Sequence, residues 1–460
     1  MLDSIASGFG ALISLLITLG AFVLALFILV SLHELGHFVV ARLCGIKVLR
    51  FSIGFGKPFF MRKKGDTEWA LAPIPLGGYV KMVDTREGDV TPEDLPFAFD
   101  KQHPAKRVAV VVAGPLMNLL LAVVLFTLSF SMGVTTVKPV VGMLEPNTIA
   151  SRAGFAVGDT ITSINGQKIT DWGEAHSDFL FSAQENINVT VVGTNGQPRT
   201  LIIDAKKEAD AIAALPEKLS IGIHPFKLTS VIGFVEKGMA ADKAGIKTGD
   251  KIISTNGQPV TDWFVWKSLI ENSPGAPLNL EYESQGKRYN KTVYLDSLQQ
   301  PDGRLIGKIG LGFSSDAAWF KSISEKTQPD FTQACVLGWK KTVDFAAKTV
   351  SFFGKMLTGQ ASLKYVSGPV AIADIAGKSA MDGLQSYLSF LGLISVSLGV
   401  LNLMPIPVLD GGHLVYYVIE WVRGKPLSLR VQEMGFRFGL AAMLCLMLLA
   451  FFNDFTRYFG

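Results

Sequence analysis

The chain has 460 residues, of which 49% are hydrophobic and 18% charged, and its formal net charge is +4. The apolar residues are concentrated in blocks, which is typical of a membrane protein and argues against an ordinary soluble one. The small net charge and the lack of a dense basic run give no support to nucleic-acid binding. Three widely separated cysteines, Cys44, Cys335 and Cys445, argue against a disulfide framework and against a cysteine zinc site.

Four long apolar stretches predict transmembrane helices, at 4–44, 108–132, 384–412 and 433–456. The first has no positively charged start and no clear cleavage site, so we expect a retained helix rather than a signal peptide. Lys and Arg are concentrated in the loop 45–107 and in the short loop between spans three and four. The positive-inside rule places both loops in the cytoplasm, and hence the two termini and the long middle segment outside.

The outer segment contains an internal repeat. Residues 140–172 and 231–263 align without a gap at an offset of 91 residues, with 16 of 33 positions identical. This predicts two copies of one domain, at 137–222 and 223–318. Short strands, a helical stretch and Gly-Asp and Asn-Gly turns in each copy resemble PDZ domains. Such domains bind extended peptides at a strand edge. The alternative interpretation is that the pair only spaces or occludes a membrane site.

The segment 319–383 is predicted to be an amphipathic juxtamembrane region. Apolar residues recur at helical spacing between 331 and 357, among several lysines. This pattern predicts a helix lying on the outer membrane face. A helix packed on the second repeat is the alternative interpretation.

The segment His33-Glu34-Leu35-Gly36-His37 carries the predicted chemistry. Residues four apart share a face of a helix, so both imidazoles can bind one ion, and neutral imidazole suits Zn²⁺. Glu34 stands where it can take a proton from a zinc-bound water. A solvated helix face would also accept these residues. Here, however, the motif interrupts an apolar span, where an ionisable group costs roughly 2.5 kcal/mol or more without a partner.

A catalytic zinc site takes three protein ligands and keeps one position open. At the end of the third predicted span, Pro405 and Pro407 precede Asp410. Proline breaks a helix, and irregular backbone at membrane depth is tolerated where it lines a polar cavity. We therefore predict that Asp410, on a non-helical turn, is the third ligand, with His413 as the competing candidate. A simple exit turn at the cytoplasmic surface is the alternative interpretation.

The two motifs together resemble the paired signature of site-2 proteases: His-Glu-x-x-His in the first span and Asn402-x-x-Pro-x-Pro-x-Leu-Asp410-Gly in a later one. The tandem insert, the segment 75–82 and Gly114-Pro-x-x-Asn118 resemble the bacterial RseP-type branch. This resemblance implies a multi-pass α-helical membrane protein with two inserted PDZ-like α+β domains and a membrane-associated β-hairpin at about 70–83. It implies the bacterial inner membrane, with both termini and the PDZ domains in the periplasm and the active site near the cytoplasmic side.

The resemblance also implies residue roles: His33, His37 and Asp410 would hold zinc, and Glu34 would be the catalytic acid and base. Asn402 would hydrogen-bond the substrate backbone, and residues of the hairpin would pair with the unwound substrate. These hairpin residues are Gly77, Gly78, Tyr79, Val80 and Lys81. Family members cut single-span proteins within the membrane after another protease has removed the outer part. Their substrates include anti-sigma factors and remnant signal peptides.

Two rival interpretations remain open from the sequence. A non-enzymatic membrane scaffold with tethered PDZ-like modules explains the repeat and the spans. It does not explain two imidazoles and two carboxylates at membrane depth. A soluble-type zinc peptidase with a membrane anchor would place its histidines outside the spans.

Overall fold

The computed structural model describes residues 2–181, 186–208, 211–212, 220–300, 303–359 and 366–459. The chain divides into two compact units. The first, which we call the membrane unit, combines Met1–Val134 with Gln328–Gly460, and the second, the repeat unit, is Thr135–Thr327.

The membrane unit begins with a long helix and a small sheet. Helix α1 spans Leu2–Leu43, and after the sheet and two short 3₁₀ turns helix α2 spans Pro104–Ser131. The strands are β1 (Val48–Phe55), β2 (Phe60–Lys64), β3 (Thr67–Leu71) and β4 (Ile74–Met82). Their order is β2-β3-β1-β4, and β4 is antiparallel to β1.

This sheet corrects the predicted hairpin at 70–83. Strands β3 and β4 are neighbours in sequence, but they lie on opposite sides of β1 and do not pair with each other. The segment is therefore the edge strand of a four-stranded sheet. The side of β4 that faces away from β1 has no strand partner among the described residues. The predicted unpaired strand edge is therefore present, although the hairpin is not.

The first copy of the repeat follows a short strand, β5 (Val134–Val137). Its elements are β6 (Met143–Leu144), α3 (Ile149–Ala153), β7 (Thr160–Ile164), β8 (Gln167–Lys168), α4 (Trp172–Phe181), β9 (Ile187–Val192) and β10 (Pro198–Ile203). The main sheet has the order β10-β9-β7-β8. Strand β11 (Ile223–His224) pairs with β6, so the first copy extends past the predicted boundary at residue 222.

The second copy repeats this order of elements. It contains β12 (Leu228–Val235), α5 (Ala240–Lys243), β13 (Lys251–Thr255), β14 (Gln258–Pro259), α6 (Trp263–Glu271), β15 (Pro277–Ser284) and β16 (Lys287–Tyr294). Then follow β17 (Asp296–Gln299), β18 (Leu305–Lys308), β19 (Leu311–Ser315), α7 (Ala317–Ile323) and β20 (Ser324–Thr327). The same short strands and helices recur after the offset of 91 residues, so the duplication seen in the sequence is a duplication of structure.

The chain then returns to the membrane unit. Its helices are α8 (Phe331–Leu357), α9 (Pro369–Asp382), α10 (Leu384–Leu403), α11 (Asp410–Arg423) and α12 (Leu429–Phe459). Helix α8 has the predicted bounds. Gly338 of α8 lies directly against Val123 and Thr127 of α2, so α8 packs on a membrane helix, which neither interpretation of this segment anticipated.

Among the described residues, four helices are long and apolar enough to cross a membrane. They contain Leu12–Leu43, Pro104–Ser131, Leu384–Leu403 and Arg430–Thr456. This agrees with the prediction of a multi-pass α-helical protein, but the third span ends at Leu403 and not at residue 412. Met404 leaves the helical conformation, because Pro405 and Pro407 follow and proline disfavours a helical residue before it.

Candidate metal centre

Helix α1 presents two imidazoles on one face. His33 and His37 are one turn apart, and their Nε2 atoms are 3.2 Å from each other. The two side chains are 12% and 11% exposed. Gly36 lies between them, at a point where a Cβ would overlap the backbone of Ala113. The glycine therefore allows α1 and α2 to approach closely beside the histidines.

Asp410 comes to the same place from a segment far along the chain. Its Oδ2 atom is 3.2 Å from Nε2 of His33 and 3.4 Å from Nε2 of His37. The sequence predicted a non-helical turn for Asp410, which is wrong in detail. Asp410 is the first residue of α11, after Leu409 in extended conformation, where a carboxylate is favoured by the helix dipole.

These three donor atoms fit a zinc ion. Donors arranged tetrahedrally at Zn–N and Zn–O distances of about 2.0–2.1 Å are separated by about 3.3–3.4 Å. The observed separations are 3.2, 3.2 and 3.4 Å. Oδ2 of Asp410 is buried and has no hydrogen-bond donor of acceptable geometry among the residues that the structure describes, as expected for an atom that serves a cation. Two imidazoles and a carboxylate leave the fourth position open, as in catalytic zinc sites.

The outer nitrogens of both histidines are held by α2. Nδ1 of His37 is 2.8 Å from the carbonyl oxygen of Val110, so it donates its proton there and leaves Nε2 free for a metal. Nδ1 of His33 lies 3.2 Å from the side-chain amide nitrogen of Asn118, and the Oδ1 atom of Asn118 has no hydrogen-bond partner among the described residues. The amide orientation that places this oxygen on Nδ1 would accept the proton of a metal-bound His33.

The sequence interpretation gave no role to Asn118, whose side chain contacts the ring of His33. Asn118 is 1% exposed inside a predicted span, and its backbone carbonyl accepts a hydrogen bond of 2.7 Å from Ser395. A buried asparagine in an apolar helix needs a polar partner, and this was the signal available in the sequence. Gly114, one turn earlier, has no room for a side chain because a Cβ there would overlap the His37 imidazole.

A cavity of about 370 Å³ opens onto the three donors. Glu34 lines it, and the backbone of Gly78 packs against the Glu34 side chain. Strand β4 contributes its residues 78–82 to the wall. The edge strand, the predicted acid-base residue and the metal donors therefore share one space, which water can enter.

Not all predicted site residues face this cavity. Gly78, Tyr79, Val80 and Lys81 line it, whereas Gly77 packs against Phe55. Asn402 lies in the last turn of α10 and is not part of the described cavity wall.

His413 lines the cavity but is not part of the group of donors close enough to share one ion. Burial lowers the pKa of its imidazole, against the opposing effect of the Asp410 carboxylate.

The whole chain is similar in sequence to known metalloproteases. A sequence profile of peptidase family M50 matches residues 21–446. A Neisseria meningitidis protein described as a zinc metalloprotease is 55% identical over 96% of this chain and 100% of its own length. The regulator of sigma-E protease RseP of Escherichia coli is 39% identical over 97% of this chain and 100% of its own length. The regulator of sigma E protease of Haemophilus influenzae is 38% identical over 96% of this chain and 100% of its own length.

These matches exclude the interpretation of the chain as a non-enzymatic scaffold. Histidines inside a predicted span also disagree with a soluble-type peptidase carrying a separate anchor. The chain belongs to peptidase family M50, the site-2 proteases, and is a zinc-dependent metalloprotease of the intramembrane type.

Proposed function

We propose that this enzyme hydrolyses peptide bonds within the membrane-embedded segments of single-span proteins. His33, His37 and Asp410 would hold the zinc ion, and Glu34 would act as base and acid. The observation that carries the proposal is the triangle of donor atoms, 3.2–3.4 Å apart, in a cavity that Glu34 also lines.

The chemistry follows from the types of residue in the cavity. Bound zinc supplies Lewis acidity, which polarises a carbonyl group and lowers the pKa of water. Glu34 takes the proton of the attacking water and passes it to the leaving amide nitrogen. The hydrogen bond from Nδ1 of His37 to Val110, at 2.8 Å, holds the ring in the tautomer that directs a lone pair into the cavity.

The substrate must expose a carbonyl that a transmembrane helix keeps in its own hydrogen bonds. Strand β4 offers replacement partners, because an extended peptide can add to an unpaired strand edge. Gly78 and Lys81 lie on this strand within the wall of the metal cavity. Gly77 and Asn402 would contact parts of the substrate outside the cavity.

The names of the relatives suggest the class of substrate. Two of them are called regulators of sigma-E protease, so we infer anti-sigma-factor-like membrane proteins, and also remnant signal peptides, as substrates. The repeat unit would act as a pair of PDZ domains that filter or bind these proteins. The enzyme would lie in the bacterial inner membrane with both termini and the repeat unit in the periplasm and the metal centre near the cytoplasmic side.

The Glu34→Gln variant tests the catalytic assignment. We expect it to bind one equivalent of zinc and to leave a single-span reporter uncut, because the amide cannot accept the proton. Glu93→Gln is the matched control, since Glu93 is an exposed carboxylate outside the cavity wall. Cleavage by purified Glu34→Gln at the wild-type rate would end the assignment of Glu34 as base.

The repeat unit is tested by deletion. Removing residues 140–318 should preserve cleavage of reporters with short outer parts and admit reporters with bulky ones. If the shortened enzyme binds zinc but cuts neither class, the repeat unit presents substrates to the site, and the filter proposal is wrong.

A further inference from the structure

One face of helix α11 carries four polar or aromatic side chains. Asp410, His413, Tyr417 and Glu420 follow one another at intervals of three, four and three residues, so they point to the same side of the helix. At 1.5 Å per residue, Glu420 lies about 15 Å from Asp410 along the axis. Contacts that hold Tyr417 and Glu420 therefore fix the position from which Asp410 reaches the two histidines.

Glu420 is held by a buried arginine at the start of α2. The Nη1 and Nη2 atoms of Arg107 donate to the two carboxylate oxygens of Glu420 at 3.0 and 2.6 Å. The side chains are only 6% and 17% exposed. Nε of Arg107 donates to the carbonyl oxygen of Gln102 at 3.1 Å, which orients the guanidinium. A bidentate pair of this kind fixes direction as well as distance.

Tyr417 adds a second contact to the same arginine. The Arg107 guanidinium carbon lies 5.0 Å from the centre of the Tyr417 ring, a cation–π geometry. The ring is 7% exposed and packs in one hydrophobic cluster with Ala41 of α1 and Val110 of α2. Two successive turns of α11 are thus held against α1 and α2.

The turn of α2 from residue 107 to residue 110 contacts both halves of the metal centre. The carbonyl of Val110 accepts the Nδ1 proton of His37 at 2.8 Å. Arg107, three residues earlier on the same side of α2, binds Glu420. A single helical turn therefore contacts both an imidazole of α1 and the helix that carries Asp410.

A contribution to stability alone explains this pair poorly. Removing two charges from water costs much of what their attraction returns, so a buried ion pair is weak support for a fold. The pair has two features that suit a positioning role. Its contact is bidentate, and Arg107 lies on the turn of α2 whose Val110 carbonyl binds His37. We propose that Arg107 and Glu420 are positioning residues that hold Asp410 in reach of His33 and His37 before the metal binds. This inference rests on the proposed role of Asp410 as a zinc ligand.

The test compares Glu420→Gln with the wild-type enzyme in two measurements. The first is zinc affinity, by competition with a chromophoric chelator. The second is hydrogen exchange of residues 411–417 in the metal-free protein, which needs no zinc and no activity. We expect zinc affinity to fall at least tenfold and exchange in the first turns of α11 to become faster. Arg107→Lys keeps the charge but loses the bidentate contact. Its zinc affinity and its exchange rate should therefore lie between those of the wild-type enzyme and those of Glu420→Gln.

Two further variants separate the possible outcomes. Glu271→Gln removes the exposed Lys267–Glu271 pair of the repeat unit and should change neither measurement. Asp410→Asn is the reference for loss of a ligand. If Asp410→Asn retains full zinc affinity, the ligand assignment fails. If it loses zinc while Glu420→Gln keeps wild-type affinity and exchange, only the positioning role is refuted.

Glu420→Gln leaves the buried Arg107 charge unpaired, and this could prevent folding. The double variant Arg107→Gln/Glu420→Gln removes both charges, so it tests the proposal even if Glu420→Gln does not fold. Normal zinc affinity in this double variant would reduce the pair to a structural contact and overturn the proposal. Weak affinity in a stably folded double variant would support it.

Discussion

Replacing Gly114 by alanine should damage the metal centre without touching a ligand. The added methyl group would lie 2.6 Å from Cε1 and 2.8 Å from Cδ2 of His37. Non-bonded carbons rest at about 3.5 Å or more, so the ring or helix α2 must move by about 1 Å. Metal–donor distances tolerate errors of only about 0.2 Å. We expect zinc affinity to fall by about 10- to 100-fold, as when an outer partner of a metal-bound histidine is lost.

The assay is chelator competition on detergent-purified protein, with thermal unfolding measured in parallel. Gly20→Ala is the matched control, because Gly20 lies in membrane helix α1 and a Cβ there would meet no atom of the described residues within 4 Å. This control should bind zinc as the wild-type enzyme does. Wild-type zinc affinity in Gly114→Ala would refute the reasoning, since it would mean that His37 can move freely and still complete the site.

Three further predictions concern other contacts. Asn118→Leu should weaken zinc binding about tenfold or more in chelator competition, because it removes the amide that contacts Nδ1 of His33 at 3.2 Å. Asp454→Ala should speed hydrogen exchange at the start of α9, because its carboxylate accepts three backbone N–H bonds there, and loss of such a cap costs about 1–2 kcal/mol. In the repeat unit, the hydrogen bond from Lys243 lowers the pKa of Asp296 from 3.8. The wild-type enzyme should therefore exceed Asp296→Asn in thermal stability above about pH 4, and this difference should shrink as acidification protonates the carboxylate.

The predictions from sequence succeeded where the signal was local. The spacing of His33 and His37 on one helix needs only four residues. Asp410 was predicted in another way, from the prolines before it and from the paired motif of site-2 proteases, and the structure brings its carboxylate to both histidines. The repeat was predicted from the identity between two segments of the sequence, and the helix at 331–357 from the spacing of its apolar residues. The ligand roles and Glu34's chemistry remain proposals with the tests given above.

What the sequence did not give depends on contacts between distant segments. The hairpin prediction was wrong because β4 pairs with β1, an earlier strand, and not with its sequence neighbour β3. The pairing of Arg107 with Glu420 joins residues 313 positions apart, and no spacing rule connects them. The start of α11 at Asp410 could have been predicted from the sequence, because an acidic residue followed by a helical pattern is a usual beginning of a helix.

The proposed ligands lie on the first helix and on one of the last, with more than 370 residues between His37 and Asp410. At a synthesis rate of about 5–20 residues per second, roughly 20 to 75 s separate the appearance of the two halves. During this interval the nascent chain carries the histidines and the glutamate but cannot complete a tight three-donor site. With the proposed ligand set, the enzyme would therefore be unable to cut any peptide bond until the segment that carries Asp410 has been made.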